Sequence, residues 1–477
     1  MISVHARDGS ARARWQRRLS PAAVGLALAL VASASPAAAA TPGPWAWGSD
    51  SAGQLGDDAT LANKVYPATM SGLTTQPGVR IVAVAAGGAH SLALDDRNNS
   101  DASDDRVWAW GSDSDGQLGD GSDPANDPGY ESTPVLVRVS PANTLTNVRA
   151  IAAGESHSVV LKHDGTVWAW GIGGSTGDGT SCDEATGQNC AKHYAGQVKG
   201  VGGIGFLTDV KQVAAGAGFT LAVRNDGTAV GWGGNSVGEL GNGTTVNSTT
   251  PTAAAVGVIG LIKQVAAGSH GLAITDNSTP GVDADDKVWA WGTNLRGQLG
   301  FAADQDPHPF PKVVNNGLLD GVTEIVATAI GGHSLAVKTG KVWGWGANFA
   351  GQLGRGTRDA SEGCLCRPDA AKVLTSAQPS TELSDVVDIA GGYFHSLAVK
   401  SDGTAWAWGS NADGQLGNGK DGSGSTTRDP TLCDDFICSA LAKPVQQDAT
   451  TNLTGVRTSG GGAAGGGSHS LAALPSP

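Results

Sequence analysis

Short runs of alternating apolar and polar residues recur from one end of this chain to the other. His-Ser-Leu-Ala-Leu begins at His90, and a close copy, His-Ser-Leu-Ala-Val, begins at His395. Such alternation is typical of a β-strand with one buried face. Asp-Gly pairs at Asp164, Asp226 and Asp402 follow runs of this kind, and Asp-Gly favours a tight β-hairpin. Helical periodicity is confined to the N-terminal segment, so the pattern predicts an all-β chain.

Three further strand-like runs accompany each His-Ser run. A small apolar run, typically ending Ala-Ala-Gly, precedes it, and an aromatic run resembling Val-Trp-Ala-Trp-Gly follows it. A weaker fourth run begins near Thr133 or Pro311. The order repeats about every 60 residues, and such a period indicates an array of supersecondary units. The last tryptophan of the aromatic run marks each of seven copies: Trp47, Trp110, Trp170, Trp232, Trp291, Trp345 and Trp408. Seven four-stranded units predict a seven-bladed β-propeller.

Residue size predicts where each strand lies in a blade. The small Ala-Ala-Gly run suits the crowded axis, and the tryptophan run suits the wider gaps between blades. The first repeat opens in a tryptophan run at Trp45, and the last ends at residues 468–474 in a His-Ser run. We therefore expect one blade to combine strands from both ends of the chain. Residues 41–477 are predicted to form a single propeller domain.

The repeated motif is written out in full at residues 388–399, 402–409 and 411–417. It reads Ala-Gly-Gly-x-x-His-Ser-Leu-Ala-Val, then Asp-Gly-x-x-Trp-Ala-Trp-Gly, then Asn-x-x-Gly-Gln-Leu-Gly. This motif closely resembles the repeat of the regulator of chromosome condensation family, and the likeness covers residues 45–474. The resemblance implies a seven-bladed propeller that is closed by both termini.

The resemblance implies different functions in different branches of that family. Its nuclear members exchange guanine nucleotide on a small GTPase and bind chromatin, with the exchange residues on non-repeated loops. This sequence contains no motif onto which those residues map. An exported bacterial branch includes a propeller that inhibits β-lactamases by covering their active site with loops from one face. That distant similarity implies an interaction or inhibitory module and does not imply this particular target.

The first forty residues predict export. Five arginines precede an apolar run at residues 22–32, and small residues at 38–40 precede Thr41. This order is that of a secretory signal peptide, with cleavage expected between Ala40 and Thr41. The apolar run is shorter than the roughly 20 residues of a membrane-spanning helix. The sequence therefore predicts a protein of the cell envelope or the extracellular space, without a transmembrane segment.

Net charge narrows the range of partners. The whole chain carries −13, and removing the five arginines and one aspartate of residues 1–40 leaves −17. A strongly negative protein repels phosphate backbones, so no nucleic-acid partner is expected. The export signal argues against guanine-nucleotide exchange, because an exported protein would not meet the small GTPase. We expect a monomer that binds another protein, whose identity the sequence does not reveal.

All six cysteines lie outside the repeated motifs, in longer inserts: Cys182, Cys190, Cys364, Cys366, Cys433 and Cys438. An even number in an exported chain predicts disulfides. The first pair and the last pair are each spaced to close a small loop. Cys364 and Cys366 are too close together to pair comfortably, so pairing with Cys433 and Cys438 is an alternative. The spacing does not suit a metal site, and none is predicted.

The His-Ser pairs invite a catalytic interpretation, which the strand geometry disfavours. Adjacent residues of a strand point to opposite faces, so a histidine cannot act as the base for the serine beside it. We expect the repeated histidines to form structural hydrogen bonds instead. They are His90, His157, His270, His333, His395 and His469. No catalytic residue and no cofactor is predicted, and the chain is not expected to be an enzyme.

Two other features have a structural and a functional interpretation. In the Gln-Leu-Gly loops we expect glycine to form the turn, leucine to fill the interface between blades and glutamine to bond backbone. A glycan- or peptide-binding surface is the alternative. Acidic hairpin tips at 95–105 and 276–286 are expected to be solvated; calcium binding is the alternative, although neither matches the EF-hand spacing.

The sequence is best explained by a secreted propeller that binds a protein through loops on one face, because rigid scaffolds commonly carry function on their loops. Five inserts are candidate contacts: 95–105, 181–197, 275–287, 357–370 and 419–440. An extracellular hydrolase or lyase acting on polysaccharide is the alternative, and it requires carboxylates converging from several blades. A nucleotide-exchange factor is a third hypothesis.

Overall fold

The computed structural model describes most of the chain after residue 43. It covers residues 44–57, 61–74, 78–97, 99–122, 129–182, 190–254, 260–276, 286–359, 366–421, 438–456, 458–461 and 467–473. The proposed cleavage site at Ala40 and Thr41, together with Cys364 and Cys433, lies outside these residues.

The described residues form seven four-stranded antiparallel sheets, which we call blades 1 to 7. Blade 1 contains β1 (Trp45–Gly48), β2 (Lys64–Thr69), β31 (Thr458–Gly461) and β32 (His469–Ala473). Blade 2 contains β3 (Ile81–Ala86), β4 (His90–Asp95), β5 (Arg106–Ser112) and β6 (Tyr130–Leu136). Blade 3 contains β9 (Val148–Ala153), β10 (His157–Lys162), β11 (Val167–Ile172) and β12 (Ala191–Gln197). Blade 4 contains β13 (Val210–Ala215), β14 (Phe219–Arg224), β15 (Ala229–Gly233) and β16 (Ser248–Ala253).

The remaining blades follow the same order. Blade 5 contains β17 (Leu261–Ala267), β18 (His270–Asp276), β19 (Lys287–Gly292) and β20 (His308–Val313). Blade 6 contains β21 (Glu324–Ala327), β22 (His333–Lys338), β23 (Lys341–Ala347) and β24 (Cys366–Lys372). Blade 7 contains β27 (Val386–Gly391), β28 (His395–Lys400), β29 (Ala405–Ser410) and β30 (Cys438–Pro444). Two hairpins join blades: β7 (Arg138–Ser140) with β8 (Asn143–Thr144), and β25 (Leu374–Ala377) with β26 (Ser380–Glu382).

The predicted propeller is confirmed, and its innermost strand is the small apolar one. The first strands of successive blades contact one another in a closed circle, from β3 through β9, β13, β17, β21 and β27 to β31 and back to β3. Helix is limited to α1 (Ser71–Thr74) and 3-10 turns at Ala102–Asp104, Val201–Gly203 and Val314–Gly317 within the described residues. No helix in this part of the chain is long and apolar enough to cross a membrane.

Blade 1 is assembled from both ends of the chain, as predicted. β1 pairs antiparallel with β32, so that Trp45 lies opposite Ala472 and Gly48 opposite His469. β31 completes the sheet on the inner side, and β2 on the outer side. A strand from one terminus thus fills the place that a local hairpin fills in the other blades.

The fourth strands begin earlier than the sequence predicts. β6 starts at Tyr130 and β20 at His308, ahead of the expected starts at Thr133 and Pro311. The ladder between β5 and β6 continues past a bulge, with Ser112 opposite Tyr130. Polar residues occupy this extension because the outermost strand of a blade is partly exposed, so alternation alone does not mark its start.

Tryptophans fill the gaps between blades. The last tryptophan of every aromatic run is fully buried. Its indole N–H donates to a backbone carbonyl in the preceding blade, as Trp110 does to Gln54 at 2.8 Å and Trp47 to Gln415 at 2.9 Å. A buried indole N–H needs such an acceptor. Each tryptophan therefore supplies apolar area and also fixes the orientation of its blade relative to the next.

Candidate protein-binding face

The two ends of the propeller carry different connections. Because neighbouring strands are antiparallel, turns from first to second strand and loops from third to fourth strand lie at one end, which we call the loop face. Hairpins from second to third strand and connections between blades lie at the other end, the hairpin face. The described ends of the inserts 181–197, 357–370 and 419–440 lie on the loop face, and those of the inserts 95–105 and 275–287 lie on the hairpin face. Residues 98, 183–189, 277–285, 360–365 and 422–437 of these inserts lie outside the described residues. A single face therefore does not gather all five predicted contacts.

The Gln-Leu-Gly loops are held rigid by their own side chains. In blade 2, Gln117 Oε1 accepts from the backbone N–H of Asp115 at 2.8 Å, and Leu118 is fully buried. Gly119 has a φ of +67°, which favours glycine. Glutamine, leucine and glycine thus have the roles that the sequence suggested. These loops form a stiff rim, not a flexible binding surface.

One position of the repeat, the Asn of Asn-x-x-Gly-Gln-Leu-Gly, has a role that the sequence analysis did not assign. The residue five places before each loop leucine is Asp or Asn, and its Oδ1 accepts from the leucine N–H, as in Asp113 to Leu118 at 2.8 Å and Asn235 to Leu240 at 2.8 Å. Burial raises the pKa of Asp50 to about 6 and also raises the pKa of Asp113. The alternation of Asp and Asn at one repeat position was the available signal, because both side chains offer the same acceptor oxygen.

The repeated histidines join one blade to the next. His395 Nε2 lies 2.9 Å from Ser470 Oγ in the neighbouring blade, and Ser470 Oγ donates to the carbonyl of Gln415 at 3.0 Å. Because the serine proton goes to that carbonyl, the imidazole must donate from Nε2. The same link connects His90 to Ser158, His157 to Thr220, His270 to Ser334, His333 to Ser396 and His469 to Ser91. Each histidine bonds a hydroxyl in the next blade and not the serine beside it.

These histidines are neutral and enclosed. Burial lowers the pKa of His90, His270, His333 and His395 to about 3, and of His157 and His469 to about 4. All six are fully buried. A side chain without access to solvent cannot meet a substrate, so the geometry supports a structural role.

The described cysteines are all in disulfides. Cys182 and Cys190 are bonded to each other across a Cα–Cα distance of 4.4 Å, which closes the insert after β11 on the loop face. Cys366 and Cys438 are also disulfide-bonded, and each begins the outermost strand of its blade. Cys190, Cys366 and Cys438 thus lie where loop-face inserts meet the outermost strands of blades 3, 6 and 7.

The acidic tip at 95–105 forms hydrogen bonds within the protein. The Asp95 carboxylate is buried and accepts from the backbone N–H of Arg80 at 2.8 Å, from Arg106 Nε at 2.9 Å and from Trp108 Nε1 at 3.2 Å. The second tip, 276–286, is described only at its ends. Within the described ranges, no group of three or more potential ligands is arranged to hold a metal ion.

Two carboxyl groups meet on neighbouring innermost strands. Glu324 of β21 and Asp388 of β27 share a hydrogen bond, and removal from solvent followed by this neighbour raises the pKa of Glu324 well above its usual range. Two blades earlier, Gln212 occupies the corresponding place and bridges to Val265 with both its amide atoms. The acid pair therefore belongs to a set of inter-blade bridges. These two hydrogen-bonded carboxyl groups lie too close together to act on either side of a glycosidic bond, because that requires about 5 Å or more between them.

A continuous line of aromatic side chains crosses the loop face. The Arg296 guanidinium lies 5.5 Å from the Phe349 ring centroid, Phe349 meets Phe394 edge-on at 4.9 Å, and Phe394 lies 5.6 Å from Tyr393. Tyr393 Oη then donates to Glu155 Oε1 at 3.4 Å. We call these five residues, with the adjacent Leu295 and Ile330, the aromatic strip. It links loops of blades 3, 5, 6 and 7.

The aromatic strip is partly open to solvent. Leu295 is 55 % exposed and Ile330 is 53 % exposed, and the rings of Phe349, Tyr393 and Phe394 are half-buried. Burial is the main cause that raises the pKa of Glu155 and of Tyr393. Sequence analysis missed this group because its members are single departures from the repeat on four different loops. The signal was present in the Tyr-Phe pair before His395, where other copies carry small or polar residues.

Comparison with known families agrees with this architecture. Two family descriptions match, both named Regulator of chromosome condensation (RCC1) repeat. One covers residues 81–117, 148–176, 210–239 and 386–415, and the other covers 45–94, 104–161, 339–399 and 402–447. Together they cover more than half of the chain. The chain belongs to the RCC1 repeat family.

Relatives of this chain match it over very different shares of their own length. The ultraviolet-B receptor UVR8 of Arabidopsis thaliana is 30 % identical over 72 % of this chain and 68 % of its own length. The human E3 ubiquitin-protein ligase HERC2 is 29 % identical over 59 % of this chain, a match that spans 5 % of HERC2. The solved structure of Prp20p from Saccharomyces cerevisiae has a TM-score of 0.68 at 22 % identity, covering 91 % of this chain and 92 % of its own. This last likeness shows the fold alone.

Proposed function

We propose that this RCC1-repeat protein is an exported, monomeric scaffold that binds another protein through its loop face, with the aromatic strip at the centre of the contact. The observation that carries the proposal is the strip itself. Tyr, Trp and Arg are the residues most enriched where interfaces concentrate their binding energy. Exposed apolar groups that are contiguous, and not scattered, mark interaction sites on soluble proteins.

The rigidity of the ring supports the same proposal. Two loops of the strip are held by the same kind of bond, because the backbone N–H of Arg296 donates to Gln298 Oε1 at 2.7 Å and that of Ala350 to Gln352 Oε1 at 2.8 Å. A preformed surface loses little conformational entropy on binding, so more of its contact energy appears as affinity. The Cys182–Cys190 disulfide closes an insert at the same end of the molecule, where it can frame the contact.

Known relatives bind proteins, which supports the class of partner but not its identity. The structure of Prp20p is described together with its binding to Gsp1p and histones, and yeast RCC1 has been solved with Kap60 bound. Export distinguishes this chain in the proposal, because the predicted signal peptide would place it where those partners are absent. Without residues 1–40 the net charge is −13 − 4 = −17, which favours a partner with a basic surface.

Export has a direct test. We expect protein secreted by the source organism, or by a related host, to begin at Thr41 and to lack residues 1–40. N-terminal sequencing of that material measures the start. Full-length protein retained inside the cell would contradict export and would restore the hypothesis of an intracellular exchange factor.

The strip is tested by truncating one of its central rings. Mature protein is used to capture partners from envelope and secreted fractions, and the affinity of a purified partner is then measured. We expect Phe349→Ala to weaken binding by about 30-fold, which corresponds to about 2 kcal/mol for a central interface residue. Ile204→Ala is the matched control, because Ile204 is 83 % exposed but lies on a connection between blades. Equal losses in the two variants, at unchanged thermal midpoint, would contradict a contact centred on the strip.

A further inference from the structure

The seam between blades 4 and 5 departs from the repeat at four places at once. Phe219 stands where other blades have the linking histidine, and Gly271 stands where the next blade has its hydroxyl partner. A Cβ atom added to Gly271 would lie 2.2 Å from the Trp291 ring, so the indole occupies the space of the missing side chain. The histidine–hydroxyl link is therefore replaced here by apolar packing.

The loop above this seam differs as well. In blade 2, Gln117 Nε2 donates to Ser112 Oγ at 3.2 Å while its Oε1 accepts a backbone N–H. In blade 4 the corresponding residues are Glu239 and Gly234. Glu239 Oε2 still accepts from the backbone N–H of Val237 at 2.9 Å. The amide donor, however, is replaced by a second carboxylate oxygen, and the hydroxyl that it would meet is absent.

These departures coincide with a cavity. It has a volume of about 250 Å³ and opens between blades 4 and 5 on the loop face. Gly218, Phe219, Gly234 and Glu239 contribute to its wall from blade 4, and Ser269 and Thr293 from blade 5. Most of the wall is apolar, with one carboxylate and two hydroxyl groups. Small residues at positions 218 and 234 leave the space that larger side chains would fill.

Among the residues that the structure describes, no cationic side chain affects the pKa of the Glu239 carboxyl group. Burial raises its pKa, and the opposing influences are backbone N–H groups of its own loop. A carboxylate that is partly removed from water, with hydroxyl oxygens nearby, favours a ligand that brings a positive charge and N–H donors. An apolar wall that includes an aromatic ring favours a ligand with methylene groups next to that charge.

We propose that the seam cavity binds a protonated alkylammonium group, as carried by a lysine side chain. The ammonium pairs with Glu239 and donates to the hydroxyls of Ser269 and Thr293, while the methylene chain lies against Phe219. This inference rests on the proposed function, because the cavity opens on the loop face. Thr293 belongs to the same loop as Leu295 of the aromatic strip. A partner that covers the strip could therefore place a lysine in the cavity.

The site is tested with two probes, the n-butylammonium ion and Nα-acetyl-lysine methylamide, by saturation-transfer NMR and calorimetry at pH 8. We expect millimolar binding of at least the lysine derivative, and at least a tenfold loss in Glu239→Gln. This substitution restores the residue that the repeat carries at Gln117 and Gln298, so the fold should be retained. Asp115→Asn, which removes a carboxylate from the blade 2 loop on the same face, is the matched control and should bind normally.

The outcomes separate the sources of the ligand. Equal binding of both probes would show that the ammonium and its alkyl chain suffice, and preference for the lysine derivative would show that flanking amide groups add to recognition. Three results would each overturn the proposal. They are equal binding of the lysine derivative after acetylation of its Nε, unchanged binding of the probes in Glu239→Gln, and no binding of either probe at tens of millimolar. Phe349→Ala should leave probe binding intact. If Phe349→Ala loses partner binding and neither probe binds the parent protein, the proposed ligand of the cavity is refuted and the proposed protein-binding face is retained.

Discussion

Acidification from pH 7 towards pH 4 is expected to unfold the propeller steeply, because its six inter-blade histidines must remain neutral. Their pKa values are lowered to about 3 or 4 in the folded chain, against an ordinary value near 6.5. Between those limits the unfolded chain binds more protons than the folded one. Stability is therefore complete above about pH 6.5 and falls as the pH is lowered through this window.

The free energy of unfolding should fall unusually steeply as the pH is lowered. Each histidine lowers the free energy of unfolding by up to about 1.4 kcal/mol per pH unit inside the window. Six acting together would exhaust a typical stability of about 5–15 kcal/mol within two or three units. Carboxyl groups with raised pKa values act in the opposite direction, because they make the folded chain bind protons before the unfolded one, and they reduce the slope. These groups are Asp50, Asp105, Asp113, Glu155, Glu239 and Glu324.

Urea unfolding at pH 7, 6 and 5 measures this dependence. The chain supplies its own control in the seam between blades 4 and 5, where Phe219 and Gly271 replace a histidine and its partner. We expect the double variant His395→Phe with Ser470→Gly to take up about one proton fewer on unfolding than the parent chain. A stability that does not change between pH 7 and pH 5, or a variant with the parent's slope, would contradict the assignment of the acid sensitivity to this ring.

Deleting residues 468–477 is expected to destabilise the whole domain and not only one blade. The deletion removes β32, which pairs β1 to β31 and buries Leu471, Ala472 and Ala473. It also removes His469 and Ser470, which link blade 1 to both of its neighbours. The ring would be left open, with the faces of two blades exposed to water.

We expect the longer deletion to remove most of the free energy of unfolding, because an open ring cannot bury the apolar surfaces on either side of blade 1. Thermal unfolding and limited proteolysis measure it. Deleting only residues 475–477, which follow β32, is the matched control and should have little effect. A melting temperature that is unchanged by the longer deletion would show that closure through the C-terminal strand is not what holds the ring together.

The sequence alone was sufficient for the fold. Strand type follows from alternation, and strand order follows from a motif that recurs about every 60 residues. The closing of blade 1 also follows from the repeats, because the first copy opens at Trp45 in a third strand and the last copy stops at 468–474 in a second strand, which leaves one blade to be shared. These features are local, or they repeat, so that each copy supports the interpretation of the others.

Only the tertiary structure decided which residues meet between blades. Histidine bonds a hydroxyl roughly one repeat further along the chain, and neither residue carries a local sign of its partner. The aromatic strip and the seam cavity arise from single departures on separate loops, such as Phe349, Tyr393 and Glu239, that the ring brings to one end. Contacts of this kind depend on the distance and orientation of side chains in different blades, and strand periodicity contains no information about either.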